Sequence, residues 1–256
     1  MESRYPLFAG GRILKKEALW DLRDYAYESW QLYYEDYTDG IIKGCEVRVE
    51  GKKLVVGRGI MKYRNFIYLL REEAVIPFTA ENRLMVLKAS FRKKEGNPDC
   101  LVYQVAFFLD DSPVLQNDQI ELCRFHLRAG SVLRDTYKNF YDMNTEYDTI
   151  NLLHATMAGR GRGRMHPKVM LRFAETMQDS DIKSIEDIAL CYHILQNEGE
   201  VERKVIDAYL GDKLKETAVE WEKIDVEQRF ERLETLLSRR VDKLEARQRR
   251  RVIFVE

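Results

Sequence analysis

Apolar and polar positions alternate most clearly between Asp39 and Leu70, in a stretch broken by Gly40, Gly44, Gly51, Gly57 and Gly59. Cys45, Val47 and Val49 alternate with Glu46, Arg48 and Glu50, the period of two of a half-buried strand. Glu50-Gly51-Lys52-Lys53 predicts a tight turn, with Gly51 free to take a positive φ. Leu54-Val55-Val56 predicts a second strand. Gly57 and Gly59 interrupt it, and an apolar, aromatic run resumes from Ile60 to Leu70. The pattern describes a small antiparallel β module and names no chemistry.

Before this module the spacing predicts a helix over residues 13–37. Leu19, Leu22, Ala26, Trp30, Tyr33 and Tyr37 recur three or four apart, and Asp21, Arg23, Asp24, Glu28, Gln31 and Glu35 fill the opposite side. Trp20, Tyr25, Tyr27 and Tyr34 make the helix unusually aromatic. Such a stripe either packs on the following sheet or forms an interface with another chain. After Pro77, residues 83–91 and 101–109 predict a hairpin pair joined by a polar loop carrying Gly96 and Pro98. Residues 119–127 alternate again, but the apolar side changes partway, as at a β-bulge. Residues 39–127 should thus hold five or six strands of a compact antiparallel sheet, sandwich or small barrel.

The next segments are read differently. Residues 131–144 fit no element. Residues 147–158 predict a helix with Ile150, Leu153 and Met157 on one face. Alternating glycine and arginine from Gly159 to Arg164 disfavours helix and predicts a hinge. From His166 the chain reads as all helix: residues 169–177 opened by Pro167, then 184–198, then 200–209, and a long helix from near Asp212. Ser184 and Asp187 resemble a capping pair, Ile185, Ile188, Tyr192 and Leu195 share a face, and Gly199 stops that helix. In the last helix Val226, Phe230, Leu233, Leu237 and Leu244 follow a 4-3-4 spacing, which fits either a coiled-coil seam or a helix docked on its own bundle. Val252-Ile253-Phe254-Val255 is an apolar tail behind Arg247 and Arg249 to Arg251. The expected fold class is α+β: an N-terminal helix and antiparallel β domain over 1–145, a helix and Gly/Arg hinge over 146–165, and a helical C-terminal domain over 166–256.

Composition narrows the chemistry. The 256 residues carry 42 basic and 43 acidic side chains, a net charge of −1, so the non-specific nucleic-acid binding that an excess of Lys and Arg drives is not expected. Charged residues reach 33%, as on extensively solvated helices. Cys45, Cys100, Cys123 and Cys191 stand far apart with no CxxC pair, so neither a zinc site nor a disulfide framework is expected, and a reducing compartment fits. No apolar run reaches membrane-spanning length, and the first twenty residues lack a signal-peptide core. The expected place of folding is the cytoplasm. Phosphate-loop, nucleophile-elbow, zinc-protease and dinucleotide motifs are missing from the sequence, and His126, His154, His166 and His193 fall in separate elements. The chain is therefore expected to be no enzyme and to use no cofactor. Arg160, Arg162 and Arg164 are candidate basic contacts: a hinge, a clamp onto a protein neighbour, or a contact to a phosphate backbone.

The segment from Gly40 to Leu70 also resembles the attachment modules of contractile-tail particles: phage tail-fibre and baseplate components and the related injection systems. Gly40, Ile41, Ile42, Gly44, Val47 and Val49 match the first half of that glycine-punctuated pattern, and Leu54, Val56, Gly59 and Ile60 the second. The resemblance covers residues 8–75 and includes the preceding helix. Lys62-Tyr63-Arg64-Asn65 stands where those modules often carry an Asp- or Gly-rich turn, and the helical C-terminal half matches no pattern. The resemblance implies a non-enzymatic structural subunit in several copies, located in the cytoplasm or in an assembled virion or injection particle. Its contacts would be protein partners or further copies of itself. The candidate interface residues are Trp20, Trp30, Tyr33 and Tyr37 in the first helix, Phe230, Leu233, Leu237 and Leu244 in the last, and Ile253 and Phe254 in the tail. The competing reading is a nucleic-acid-binding or nucleic-acid-processing accessory protein acting through the Arg-Gly segment.

Overall fold

The structure, a computed structural model, describes residues 6–11, 13–94, 100–180, 184–216 and 219–251, with side chains of the last helix described as far as Ser238. It has the expected α+β make-up. Among the described residues, helix α1 (Lys16–Tyr33) leads into nine strands, and helices α2 (Pro167–Gln178), α3 (Ile185–Gln196), α4 (Arg203–Leu214) and α5 (Val226–Arg251) follow. The strands form three antiparallel sheets of three, ordered β1-β4-β5, β2-β3-β6 and β8-β7-β9.

The glycine-punctuated stretch holds more strands than the pattern shows. Its elements are β1 (Gly40–Gly44), β2 (Val47–Glu50), β3 (Lys53–Val56), β4 (Gly59–Tyr63) and β5 (Phe66–Leu70). Glu50 pairs with Lys53 across the predicted turn, where Gly51 has φ +63°. Since β2 pairs with β3 and β1 with β4, residues 40–63 form one long hairpin bent at a corner into two sheets. The corner needs its glycines. A Cβ on Gly59 would lie 2.5 Å from both the backbone N and the Sγ of Cys45. The crossing strands are tied there by Cys45 N–H to the Arg58 carbonyl and Gly57 N–H to the Glu46 carbonyl, both 2.9 Å. The run from Ile60 to Leu70 is itself a hairpin, turning at Arg64 with φ +52°.

β6 (Ala74–Pro77) completes the second sheet. β7 (Leu84–Lys94) pairs with β8 (Val102–Asp110) as the predicted hairpin, and with β9 (Gln119–His126). The predicted bulge is at Leu122: Leu87 pairs with Cys123 and Lys88 with Glu121, leaving Leu122 as the extra residue.

Residues 147–158 correct the helix read there. They are non-helical and meet the sheets through isolated bridges, among them Asn151 with Arg124 and Met157 with Ile41. Ile150, Leu153 and Met157 are buried, but so are Thr149, Asn151, Leu152 and Ala158. A segment buried on all sides has no polar face, so its spacing was a poor guide to helix. The Gly/Arg segment after it is pinned down. The Gly159 carbonyl accepts from Thr38 N–H at 2.9 Å, and Arg164 is buried.

Pro167 opens α2 as expected, and Ser184 and Asp187 form a complete capping box on α3. The four residues read as sharing a face of α3 do so, and that face is the outward one. Ile185, Ile188, Tyr192 and Leu195 are exposed, while Leu190, Cys191 and Ile194 are buried. The buried side also carries Asp187, whose carboxylate accepts from Tyr209 Oη at 2.7 Å and from Ser184 N–H at 2.7 Å. Satisfying that group turns its side of α3 towards α4. Helix α5 starts at Val226, not near Asp212. Lys215 takes a left-handed φ of +59° that closes α4, and Asp225 Oδ1 accepts from Gln228 N–H at 2.8 Å to open α5. One continuous core runs from Ile41 in β1 to Leu237 in α5.

Candidate interaction surface

Helix α1 buries none of its 18 residues. Trp20 is 48% exposed, Trp30 51% and Tyr33 65%, and Leu19, Leu22, Tyr25 and Tyr27 are exposed as well. The stripe predicted to pack on the sheet therefore stays largely uncovered by the described residues. The helix is fixed at its C-terminal end. Lys62, buried in β4, directs Nζ at three backbone carbonyls there: Tyr34 at 2.6 Å, Glu35 at 2.8 Å and Tyr37 at 2.6 Å. Helix ends leave carbonyls unpaired and carry partial negative charge, and an ammonium with three N–H donors answers both. Trp30 and Tyr34 stack at 5.8 Å between centroids, and Tyr34 meets Tyr37 edge-on at 5.0 Å.

The helix stands off the sheet with a cleft on each side. One, of about 710 Å³, lies between Tyr27 and Trp30 of α1, strand β5, and Tyr103, Val105 and Phe107 of β8. Its floor is aromatic, with Phe66 stacked on Tyr103 at 3.7 Å. The other, of about 530 Å³, lies between Tyr25, Glu28 and Leu32 and the β4–β5 hairpin.

The predicted interface residues divide. Trp20, Trp30 and Tyr33 are presented to solvent, and Tyr37 is half-buried beside Arg160, whose guanidinium lies 5.9 Å from the ring centroid. Phe230, Leu233 and Leu237 are corrected: they are buried within the chain itself, and Phe230 stacks on Phe140 at 4.3 Å. This half of α5 docks on its own bundle, each large side chain contributing about 1.5–3 kcal/mol by burial. Leu244 lies beyond the described side chains, and Ile253 and Phe254 lie outside the described residues.

Of the three arginines of the Gly/Arg segment, Arg164 alone is buried. Arg164 donates to the carbonyls of Ala158 at 2.6 Å and Ile42 at 3.0 Å, and pairs with Glu200 at 2.9 Å. Arg162 makes a solvent-exposed pair with Glu222 at 2.5 Å, and the backbone N–H of the exposed Arg160 donates to Glu202 at 3.1 Å. Arg164 clamps the chain onto itself, while Arg160 and Arg162 stay at the surface.

Among the described residues, no group of three or more His, Cys, Asp or Glu stands close enough together to hold a metal ion. Two of the histidines, His154 and His166, are held in contacts within the fold. His166 caps α2, its Nδ1 accepting from Lys168 N–H at 3.1 Å, and desolvation pushes it down to about 3. His154 Nε2 lies 3.1 Å from Glu227, and desolvation lowers it to about 4. Burial pushes the Cys45 thiol up to about 12 and raises that of Cys123 further, so both are inert thiols. The reading of the sequence missed Lys62 and Arg229. Arg229 is buried and grips Asp207 through Nε at 2.6 Å and Nη2 at 3.1 Å, while donating to the carbonyls of Trp221 and Asp225. Neither lies in a motif, and a charge in an amphipathic pattern reads as solvent-facing.

No protein-family model matches the chain, and no curated protein does. Two solved structures are similar in chain course. A chain of the type VI secretion system TssK-TssF-TssG baseplate subcomplex is 8% identical with a TM-score of 0.40, over 93% of this chain and all of that one. A crystal structure of TssK is 8% identical with a TM-score of 0.30, over 92% of this chain and 68% of that one. Likeness at that level carries no inference about what this chain assembles with. No described helix is long and apolar enough to cross a membrane.

Proposed function

We propose that this chain is a structural assembly subunit that works by protein–protein packing and not by catalysis, and that its setting is the baseplate or fibre-attachment region of a phage-tail-like contractile particle. The carrying observation is α1. An 18-residue helix with exposed Trp20, Trp30 and Tyr33 and no buried residue is a surface waiting for a cover. Isolated helices of this length are marginal in water, and contiguous apolar patches on a folded chain mark contact sites. Trp and Tyr are also the side chains that carry most interface energy. The contractile-particle setting comes from the resemblance of residues 8–75. The burial of Arg164 and the pairing of Arg162 with Glu222 leave the nucleic-acid alternative without support.

The test is co-expression of the full chain with the products of its neighbouring genes. Sheath, tube or baseplate proteins should co-elute with it, and Trp20→Asp with Trp30→Asp should abolish co-elution while thermal unfolding stays within a few degrees of the parent. Elution of the parent chain alone, or co-elution indifferent to both substitutions, overturns the proposal.

A further inference from the structure

A cavity of about 280 Å³ lies where the Gly/Arg segment meets the first residues of two helices, Arg203 of α4 and Val226 of α5. Three guanidinium groups line it, those of Arg164, Arg203 and Arg229, against one carboxylate, that of Asp39. His154 lines it too and, pushed down to about 4, is uncharged at neutral pH. Helix starts carry partial positive charge, so the backbone adds to the same sign. The carboxylates that answer these arginines are shared. Asp207 accepts from Arg229 through both oxygens, at 2.6 and 3.1 Å, and lies 3.9 Å from Arg203 Nε, beyond hydrogen-bond reach. Glu200 pairs with Arg164 at 2.9 Å and with Lys43 at 3.6 Å. Asp39 Oδ1 accepts from Arg64 N–H at 2.6 Å. Arg203 is the least satisfied of the three. Its one hydrogen bond among the described residues runs from Nη2 to the Ile224 carbonyl, and its Nε is buried with no hydrogen-bond partner. Burial, and after it the charge of Arg229, lower its pKa. The side chain is still 22% exposed, so a ligand entering from solvent can touch it. A desolvated charge with so few of its donors placed is costly, and an anion beside it offsets that cost.

We propose that this cavity binds a small oxyanion, a carboxylate or a phosphate, with Arg203 as its principal contact. A guanidinium offers the planar, paired donors that either oxyanion accepts from. Arg164 places three of its N–H groups, on the Ala158 and Ile42 carbonyls and on Glu200, which leaves two of the five for a ligand. Arg229 has every nitrogen committed, to Asp207 and to the carbonyls of Trp221, Ile224 and Asp225, so it contributes charge and not contact. Size sets the limit on the ligand. Drug-sized molecules occupy about 300–1,000 Å³, so a cavity of about 280 Å³ suits a single anionic group. None of its lining residues belongs to α1 or to the two clefts beside that helix, so the site stands independently of the packing role.

The test is an NMR titration of the full chain at neutral pH, with sodium phosphate and separately with sodium acetate, the ionic strength being held constant with sodium chloride. At least one of the two anions should give saturable shifts centred on the amides of residues 153–157 and 163–165 and on arginine Nε–H signals. The anion that binds more tightly distinguishes a phosphate site from a carboxylate site. Arg203→Gln should weaken that binding at least tenfold. Arg23→Gln, which removes an exposed arginine of α1 outside the cavity, should leave it unchanged. Shifts that rise without saturation for both anions, or that centre elsewhere, overturn the proposal. Affinity unchanged by Arg203→Gln, or weakened equally by Arg23→Gln, overturns it as well. Should Arg203→Gln fail to fold, the titration of the parent chain decides, because the position of the shifts needs no variant.

Discussion

The ammonium of Lys62 lies 2.6 Å from the carbonyl oxygen of Tyr37, and the same nitrogen reaches the carbonyls of Tyr34 and Glu35. Removing the charge takes a donor from three carbonyls just past the end of α1, of which Tyr34 keeps its bond from Tyr37 N–H at 3.1 Å. Lys62→Met should cost about 1–3 kcal/mol, and the loss should be local. Hydrogen exchange should speed up across residues 30–37 while β7 and β9 stay protected.

Arg229 and Asp207 make the second large prediction. Arg229→Met leaves the buried Asp207 carboxylate with only the 3.9 Å pair to Arg203 and should cost about 3–5 kcal/mol in denaturant unfolding. Pairing it with Asp207→Leu should recover much of that loss, because the orphaned charge is then gone.

The corner glycines predict a steric effect. Gly59→Ala places a Cβ 2.5 Å from Cys45 N and the Lys43 carbonyl, both on the backbone of the crossing strand. Destabilisation above about 2 kcal/mol is expected. Gly51→Ala, whose Cβ meets nothing within 4 Å, should cost only the smaller penalty of a residue at φ +63°.

Acid sensitivity should come from histidines. His154 and His166 sit well below the ordinary imidazole value, at about 4 and about 3. A depressed folded-state value means that the unfolded chain binds the proton first. Their contribution is therefore complete above about pH 6.5 and falls as pH drops towards 4, by up to about 1.4 kcal/mol per unit for each. His166→Asn, which keeps a side-chain acceptor for the α2 cap, combined with His154→Gln should flatten that slope. An unchanged slope between pH 6.5 and 4 would show that other groups set it.

Local signals carried most of the fold. The turn at Gly51, the bulge at Leu122, Pro167 opening α2 and the Ser184–Asp187 cap were all legible, because each depends on neighbouring residues alone. What failed depended on distant partners. Residues 147–158 kept a helical spacing by coincidence, since burial on every side hides the backbone's true period. That the shared face of α3 is the outward one was not legible, since the buried side holds Asp187, whose partner Tyr209 is 22 residues away. On the surface, the aromatic excess of α1 was plain, but its exposure was not, and nothing near Lys62 marks it as the anchor.

That anchor has a mechanical meaning. Helix α1 is about 27 Å long and is gripped at one end, so it is a lever with its fulcrum at Lys62. A load applied near Trp20 is multiplied at three hydrogen bonds and transmitted directly into β4. The hairpin that contains β4 continues around its corner into β2 and β3, so a pull on the arm is felt in two sheets at once.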